Sequence, residues 1–149
     1  MSSGNATLEQ IEANYKRAFY CTWTVSQYHA GLEVLEKIWN GGGDTTATSF
    51  SAVINEIYVT ATVQVANFAG TVNSVDSPVG GTSGGTVNAL NSMQDLFTNT
   101  ASFTYCNDGI MVIYFLDKND SIIGLYAGGA ISGMNPYKGS ATGAWTLKN

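Results

Sequence analysis

The chain has 149 residues, enough for a single domain with a buried core. Charged residues make up 11%, against about 25% in ordinary soluble domains. The net charge is −5 and the six basic residues (Lys16, Arg17, Lys37, Lys118, Lys138 and Lys148) are scattered, which excludes a phosphate-binding footprint for nucleic acid and a polybasic membrane patch.

The first four residues are polar, so no signal peptide is visible in this chain. Thr7-Leu8-Glu9-Gln10 has capping-box spacing, with Thr at the N-cap and Gln three residues on. Leu8, Ile11, Tyr15 and Phe19 then recur at helical spacing, with Glu9, Glu12, Lys16 and Arg17 off the stripe. The β-branched stretch 21–25 weakens the helix, and Leu32, Leu35, Ile38 and Trp39 resume it. Asn40 and three glycines end it. This predicts a helical arm over residues 1–43, as one long helix or as two helices broken near 21–31. Its apolar stripe is an interaction face for its own barrel, a second copy of the chain, a partner's groove or a membrane. Its mixed charge argues against an anionic bilayer.

Residues 41–49 read as a linker, and residues 44–149 as a β-domain. From Phe50 the apolar period becomes two and runs through residue 65. Residues 67–72 look like the next strand, and 79–88 a glycine-rich strand or hairpin. Leu90, Met93, Leu96 and Phe97 suggest a short strand or one helical turn. The apolar runs 109–116 and 121–129 flank Asp117-Lys118-Asn119-Asp120, a hairpin signature. Residues 144–147 read as a short closing strand. Seven or eight short strands point to an antiparallel barrel or sandwich. The longest apolar run, 110–116, is far below the ~20 residues of a spanning helix.

Catalytic chemistry has little to stand on. His29 is the only histidine, and no nucleophile-elbow motif accompanies it. Glu56, Asp76, Asp95, Asp108, Asp117 and Asp120 are the acids available for a carboxylate pair, and most of them lie in turn-like sequence. The segment from Asp117 lacks the glycine and the bidentate Glu of a calcium loop. The glycines at 80–85 are followed by no Lys-Ser/Thr pair of a phosphate loop. No metal site and no cofactor are expected. Cys21 and Cys106 form no metal or redox motif; they could pair as a disulfide or be two small buried thiols. Asn5-Ala6-Thr7 and Asn119-Asp120-Ser121 match the glycosylation pattern, one that arises readily by chance in an Asn- and Thr-rich chain.

Several motifs resemble the virulence-associated (Vap) proteins of Rhodococcus equi over roughly the last hundred residues. Ser83-Gly84-Gly85-Thr86-Val87 looks like that family's Ser-Gly-Thr-Ile strand with one residue inserted. Asp95-Leu96-Phe97, Thr100 and Ser102-Phe103 look like its Leu-Tyr…Thr-x-Ser-Phe run. Phe115-Leu116-Asp117-Lys118-Asn119-Asp120-Ser121-Ile122-Ile123-Gly124 looks like its Phe-Phe-Asp-x-Asn-Ser-x-Phe-Leu-Gly hairpin. Ala127-Gly128-Gly129-Ala130 and Gly143-Ala144-Trp145 resemble its closing segment. The resemblance implies a mainly β fold (α+β once the arm is counted): a compact eight-stranded antiparallel Greek-key barrel, filled by side chains and without an active site. It also implies secretion and action on a host cell. The sequence departs from the family in its arm, which is unlike a low-complexity leader, and in showing no secretion signal.

The expectation is therefore a non-enzymatic, secreted, toxin-like virulence protein that binds a host protein or membrane. Self-association through the arm is a further option. The alternative is a carbohydrate- or small-ligand-binding barrel, with Tyr114, Tyr126, Tyr137 and Trp145 as exposed aromatic platforms.

Overall fold

The computed structural model describes residues 7–21, 23–40, 44–55, 58–63, 66–72, 81–130 and 138–147. The chain is α+β, with a helical arm followed by an antiparallel sheet. Helix α1 spans Leu8–Phe19. The Thr7 hydroxyl accepts from the Gln10 N–H at 3.1 Å, and Gln10 Oε1 accepts from the Thr7 N–H at 2.9 Å. Helix α2 spans Val25–Trp39 and starts in the same way, because Thr24 and Gln27 form a second capping box with both bonds at 3.1 Å. That box is why the arm is two helices. The break falls at 20–24, where Thr24 turns extended and offers the new helix its N-cap.

The strands are β1 Asp44–Asn55, β2 Tyr58–Val63, β3 Ala66–Val72, β4 Gly81–Ala89, β5 Ser102–Asp108, β6 Ile110–Leu116, β7 Ile122–Gly129 and β8 Lys138–Leu147. Helix α3, Met93–Asn99, lies between β4 and β5. All neighbours pair antiparallel, and the pairing order β1-β2-β3-β8-β5-β6-β7-β4 returns to β1 as a closed barrel. Strands β4-β1-β2-β3 and β8-β5-β6-β7 each have Greek-key order, with the fourth strand returning beside the first.

Three expectations are corrected here, and one open choice, strand or helical turn after residue 90, is decided. The alternation over 50–65 is not one strand: it folds back on itself, Asn55 pairing with Tyr58. The supposed linker over 44–49 belongs to β1, since Asp44, Thr45 and Thr46 pair with Ala89, Asn88 and Val87. Residues 93–99 are helical because Ser92 caps them, its hydroxyl accepting from the Asp95 N–H at 3.0 Å. The closing strand has ten residues rather than four, long enough to pair with both β3 and β5.

The hairpin read from the sequence is present. Asp117 Oδ1 accepts from the Asn119 and Ser121 N–H groups at 2.8 and 3.0 Å, and Asp120 takes a left-handed φ of 61° that Asp tolerates. Strands β6 and β7 read as unbroken apolar runs because both of their faces are buried. Met111, Ile113 and Phe115 lie on one face, with cross-strand partners Gly128, Tyr126 and Gly124. Val112, Tyr114 and Leu116 lie on the other, and the arm covers them.

Ile11, Tyr15, Ala18 and Phe19 of α1 and Leu35 and Ile38 of α2 form one core cluster with Cys106, Val112, Tyr114, Leu116, Ile122, Leu125 and Ala127. Leu32 and Trp39 pack against that cluster, and Leu8 is half-buried. The predicted interaction stripe is thus spent on the chain's own barrel. Within this apolar contact sits Asn14, 2% exposed. Its Nδ2 donates to the Cys106 carbonyl at 3.0 Å, and its Oδ1 accepts from the Tyr114 hydroxyl at 2.7 Å. Burial holds the Tyr114 hydroxyl well above its ordinary pKa, so it stays protonated as the donor. At the surface, Arg17 pairs with Asp108 across the same joint.

The two arm helices also bring like charges together. The Glu36 carboxyl, hydrogen-bonded to that of Glu12, raises the Glu12 pKa, with help from burial and from the charges of Glu36 and Glu9. A raised carboxyl pKa favours the folded state when protonated, a contribution present at acid pH and lost as pH rises through the raised value. Glu36→Gln removes the like charge and leaves a donor for Glu12. It is expected to raise the thermal midpoint at pH 7 and to shrink the wild type's relative gain on acidification, measured by melting at pH 7 and pH 4.5. Asn14→Ala leaves the Cys106 carbonyl and the Tyr114 hydroxyl without this partner. It should cost about 2–4 kcal/mol in urea unfolding followed by circular dichroism.

Candidate functional site

Two of the four aromatic platforms expected at the surface are buried instead. Tyr114 and Tyr126 are both 0% exposed. Tyr114 lies under the arm with its ring edge-on to Phe19 and Tyr15, at centroid distances of 5.1 and 5.8 Å. Tyr126 sits on the opposite sheet face, the cross-strand partner of Ile113. Both strands are buried on both faces, which leaves neither ring an outward position. Trp145 lies in β8 with its side chain outside the described residues, and Tyr137 is itself outside them. Of the two options for Cys21 and Cys106, the disulfide is not formed. Cys21 is exposed, against the expectation of two buried thiols, and Cys106 is buried in the joint.

Among the described residues, the candidate acids each have a place of their own. Asp108 pairs with Arg17. Asp95 accepts from Asn99 Nδ2 at 2.6 Å beside the N-terminus of α3, and Asp117 pins its own turn. Glu56 and Asp76 lie outside the described residues. Exposed His29 stands edge-on to the Tyr28 ring, 6.0 Å away. Among the described residues no group of three His, Cys, Asp or Glu side chains is placed to hold a metal, and no helix is long and apolar enough to cross a membrane.

The surface does have a distinctive corner, where α1 passes into α2. Tyr20 is 62% exposed and Val25 75%, the large apolar side chains most open to solvent among the described residues. Lys16 Nζ lies 5.5 Å from the Tyr20 ring centroid, a cation–π contact. Between them Trp23 turns inward. Its ring stacks on Phe19 with centroids 4.0 Å apart and meets Tyr15 edge-on at 6.1 Å. Gly31 of α2 lets these rings approach: a methyl group there would overlap the Tyr15 hydroxyl and stand 2.9 Å from the Trp23 ring. That hydroxyl donates to the Tyr28 carbonyl at 2.8 Å, locking α1 to α2. A cleft of about 130 Å³ opens beside Trp23, between α2 and the β6–β7 turn. Sequence reading missed this corner. Its signal was the Thr24-x-x-Gln27 spacing, which marks residues 20–24 as the outside of a helix–helix bend.

A model of the family described as Rhodococcus equi virulence-associated protein matches residues 3–146. The chain belongs to that family. The match reaches back through the arm, well before residue 50, where the likeness was expected to begin.

Two solved Vap structures from the intracellular pathogen Rhodococcus equi share the fold. Virulence-associated protein VapB is 22% identical with a TM-score of 0.58, covering 69% of this chain and 98% of its own. VapD is 20% identical with a TM-score of 0.57, covering 69% of this chain and 99% of its own. No curated protein sequence matches the chain at a comparable standard. In this Vap-family chain, Gly31→Ala must displace either the Tyr15 hydroxyl or Trp23. It is expected to cost about 1–3 kcal/mol and to shift tryptophan emission, read by fluorescence during urea unfolding.

Proposed function

We propose that this chain is a secreted, non-enzymatic virulence protein that acts on a host cell by binding, with the α1–α2 corner as the contact. The observation that carries this reading is the pairing of two facts. The amphipathic stripe of the arm is consumed by the barrel, yet the corner still presents Tyr20 and Val25 to solvent, with Lys16 at its edge. Apolar side chains this exposed are disfavoured in the free protein and gain on contact with a partner. Family membership supports the virulence role, and Asp95, Asp108 and Asp117 each have a structural engagement that accounts for them. Toxin-like action through a host protein or through the membrane is part of the proposal, as is export from the producing cell.

The test applies labelled full-length chain to host cells and, in parallel, to liposomes of neutral and of anionic lipid at pH 7 and pH 5. A Tyr20→Ser/Val25→Ser double variant serves as control; both positions are exposed, so it should fold with unchanged stability. The expected outcome is cell binding that drops about tenfold or more in the variant, as loss of two buried apolar contacts predicts. Co-sedimentation with liposomes would place the contact at the membrane, and cell binding without it would place the contact at a protein. Equal binding by variant and wild type would sink the corner as the contact.

A further inference from the structure

We infer that the cleft between α2 and the β6–β7 turn is a subsite for a single neutral sugar ring. This rests on the reading of the chain as a binding protein, and it names what one part of the surface binds.

The lining of the cleft is of two kinds. Apolar surface comes from Trp23, Val34 and Ile122, with Ala30 and Gly31 adding no bulk. Polar groups come from Gln27 on α2 and from the turn residues Asn119, Asp120 and Ser121. A pyranose has the matching division, with C–H groups on its faces and hydroxyls around its edge. The volume, about 130 Å³, is well below the ~300 Å³ at which pockets for drug-sized ligands begin, and it suits one ring rather than a chain of them.

The polar lining discriminates among small ligands. Asn119 and Ser121 can both donate and accept, and Asp120 only accepts. Gln27 Oε1 is engaged with Thr24, which leaves its Nε2 hydrogens to donate. Donors and acceptors side by side suit hydroxyl groups, which do both. An anion would meet the Asp120 carboxylate and the net charge of −5. A cation would find one carboxylate among donors, and one face of Trp23 is already covered by Phe19.

The lining is also fixed before a ligand arrives. Asp117 holds the backbone N–H groups of Asn119 and Ser121, and the Asp120 N–H donates to the Asp117 carbonyl at 3.0 Å. The Trp23 ring is held by its stack on Phe19, and its backbone N–H donates to the Phe19 carbonyl at 3.0 Å. Preorganisation of this kind lowers the entropy cost of binding.

The test is an amide-resolved NMR titration of the full chain with glucose, mannose, galactose and N-acetylglucosamine. Tetramethylammonium chloride and inorganic phosphate serve as the charged probes. At least one sugar should shift the Trp23 indole and the 119–121 amides, saturating with a Kd on the order of 1 mM, the strength expected of about a dozen non-hydrogen atoms. Asp120→Asn keeps the left-handed backbone accessible and should weaken that sugar about tenfold. Trp23→Ala should abolish the shifts, and because it also disturbs the stack on Phe19, the Asp120→Asn result is the deciding one. The inference is overturned if no sugar shifts the cleft amides, if the shifts are unchanged in Asp120→Asn, or if only a charged probe binds. No sugar shift at the cleft, with cell binding that falls in Tyr20→Ser/Val25→Ser, would sink this inference and leave the corner standing. Sugar binding with no cell binding would do the reverse.

Discussion

The joint between the arm and the sheet is the contact on which the rest depends. Strands β5, β6 and β7 carry apolar side chains on both faces, so a barrel alone would leave Val112, Tyr114, Leu125 and Ala127 in water. The arm removes that exposure, and Asn14 sets where it sits. A purely apolar contact between two helices and a sheet tolerates sliding. A buried amide that must reach one carbonyl and one hydroxyl at 3.0 and 2.7 Å does not. The second lock, from the Tyr15 hydroxyl to the Tyr28 carbonyl, fixes the angle between the helices and so the shape of their corner.

Much of this was legible in the sequence, and the failures have identifiable causes. The stripe Ile11, Tyr15, Phe19, Leu35 and Ile38 was readable because helical periodicity reports one buried face whatever covers it. What covers it was not readable, since that depends on a sheet face assembled from strands far away in sequence. The hairpin at Asp117 was readable because its turn chemistry is local. The pairing of Asn55 with Tyr58 was not, because β1 and β2 keep the same two-residue period and mask the reversal.

The errors at the candidate site share one origin. An aromatic residue in an antiparallel strand can face solvent only while one face of the sheet is open. The arm closes it. The same event moves the exposed aromatic surface to the corner: once α1 and α2 both turn their stripes inward, the residues that join them cannot all follow. Trp23 turns in over Gly31, and Tyr20 and Val25 are left outside.

The family match and the solved relatives divide the chain in an informative way. The structures of VapB and VapD are nearly covered in full, yet they account for 69% of this chain, a length close to that of β1 through β8. The family model nevertheless runs from residue 3, in keeping with a core that α1 and α2 share with β5, β6 and β7. An arm that merely tethered the barrel would need no buried amide and no ring packed against a glycine. Asn14, Gly31 and the stacked Phe19–Trp23 pair instead hold the arm in one geometry. A rigid mount is what a small binding surface needs, because side chains presented on a fixed corner lose little further freedom when they meet a partner.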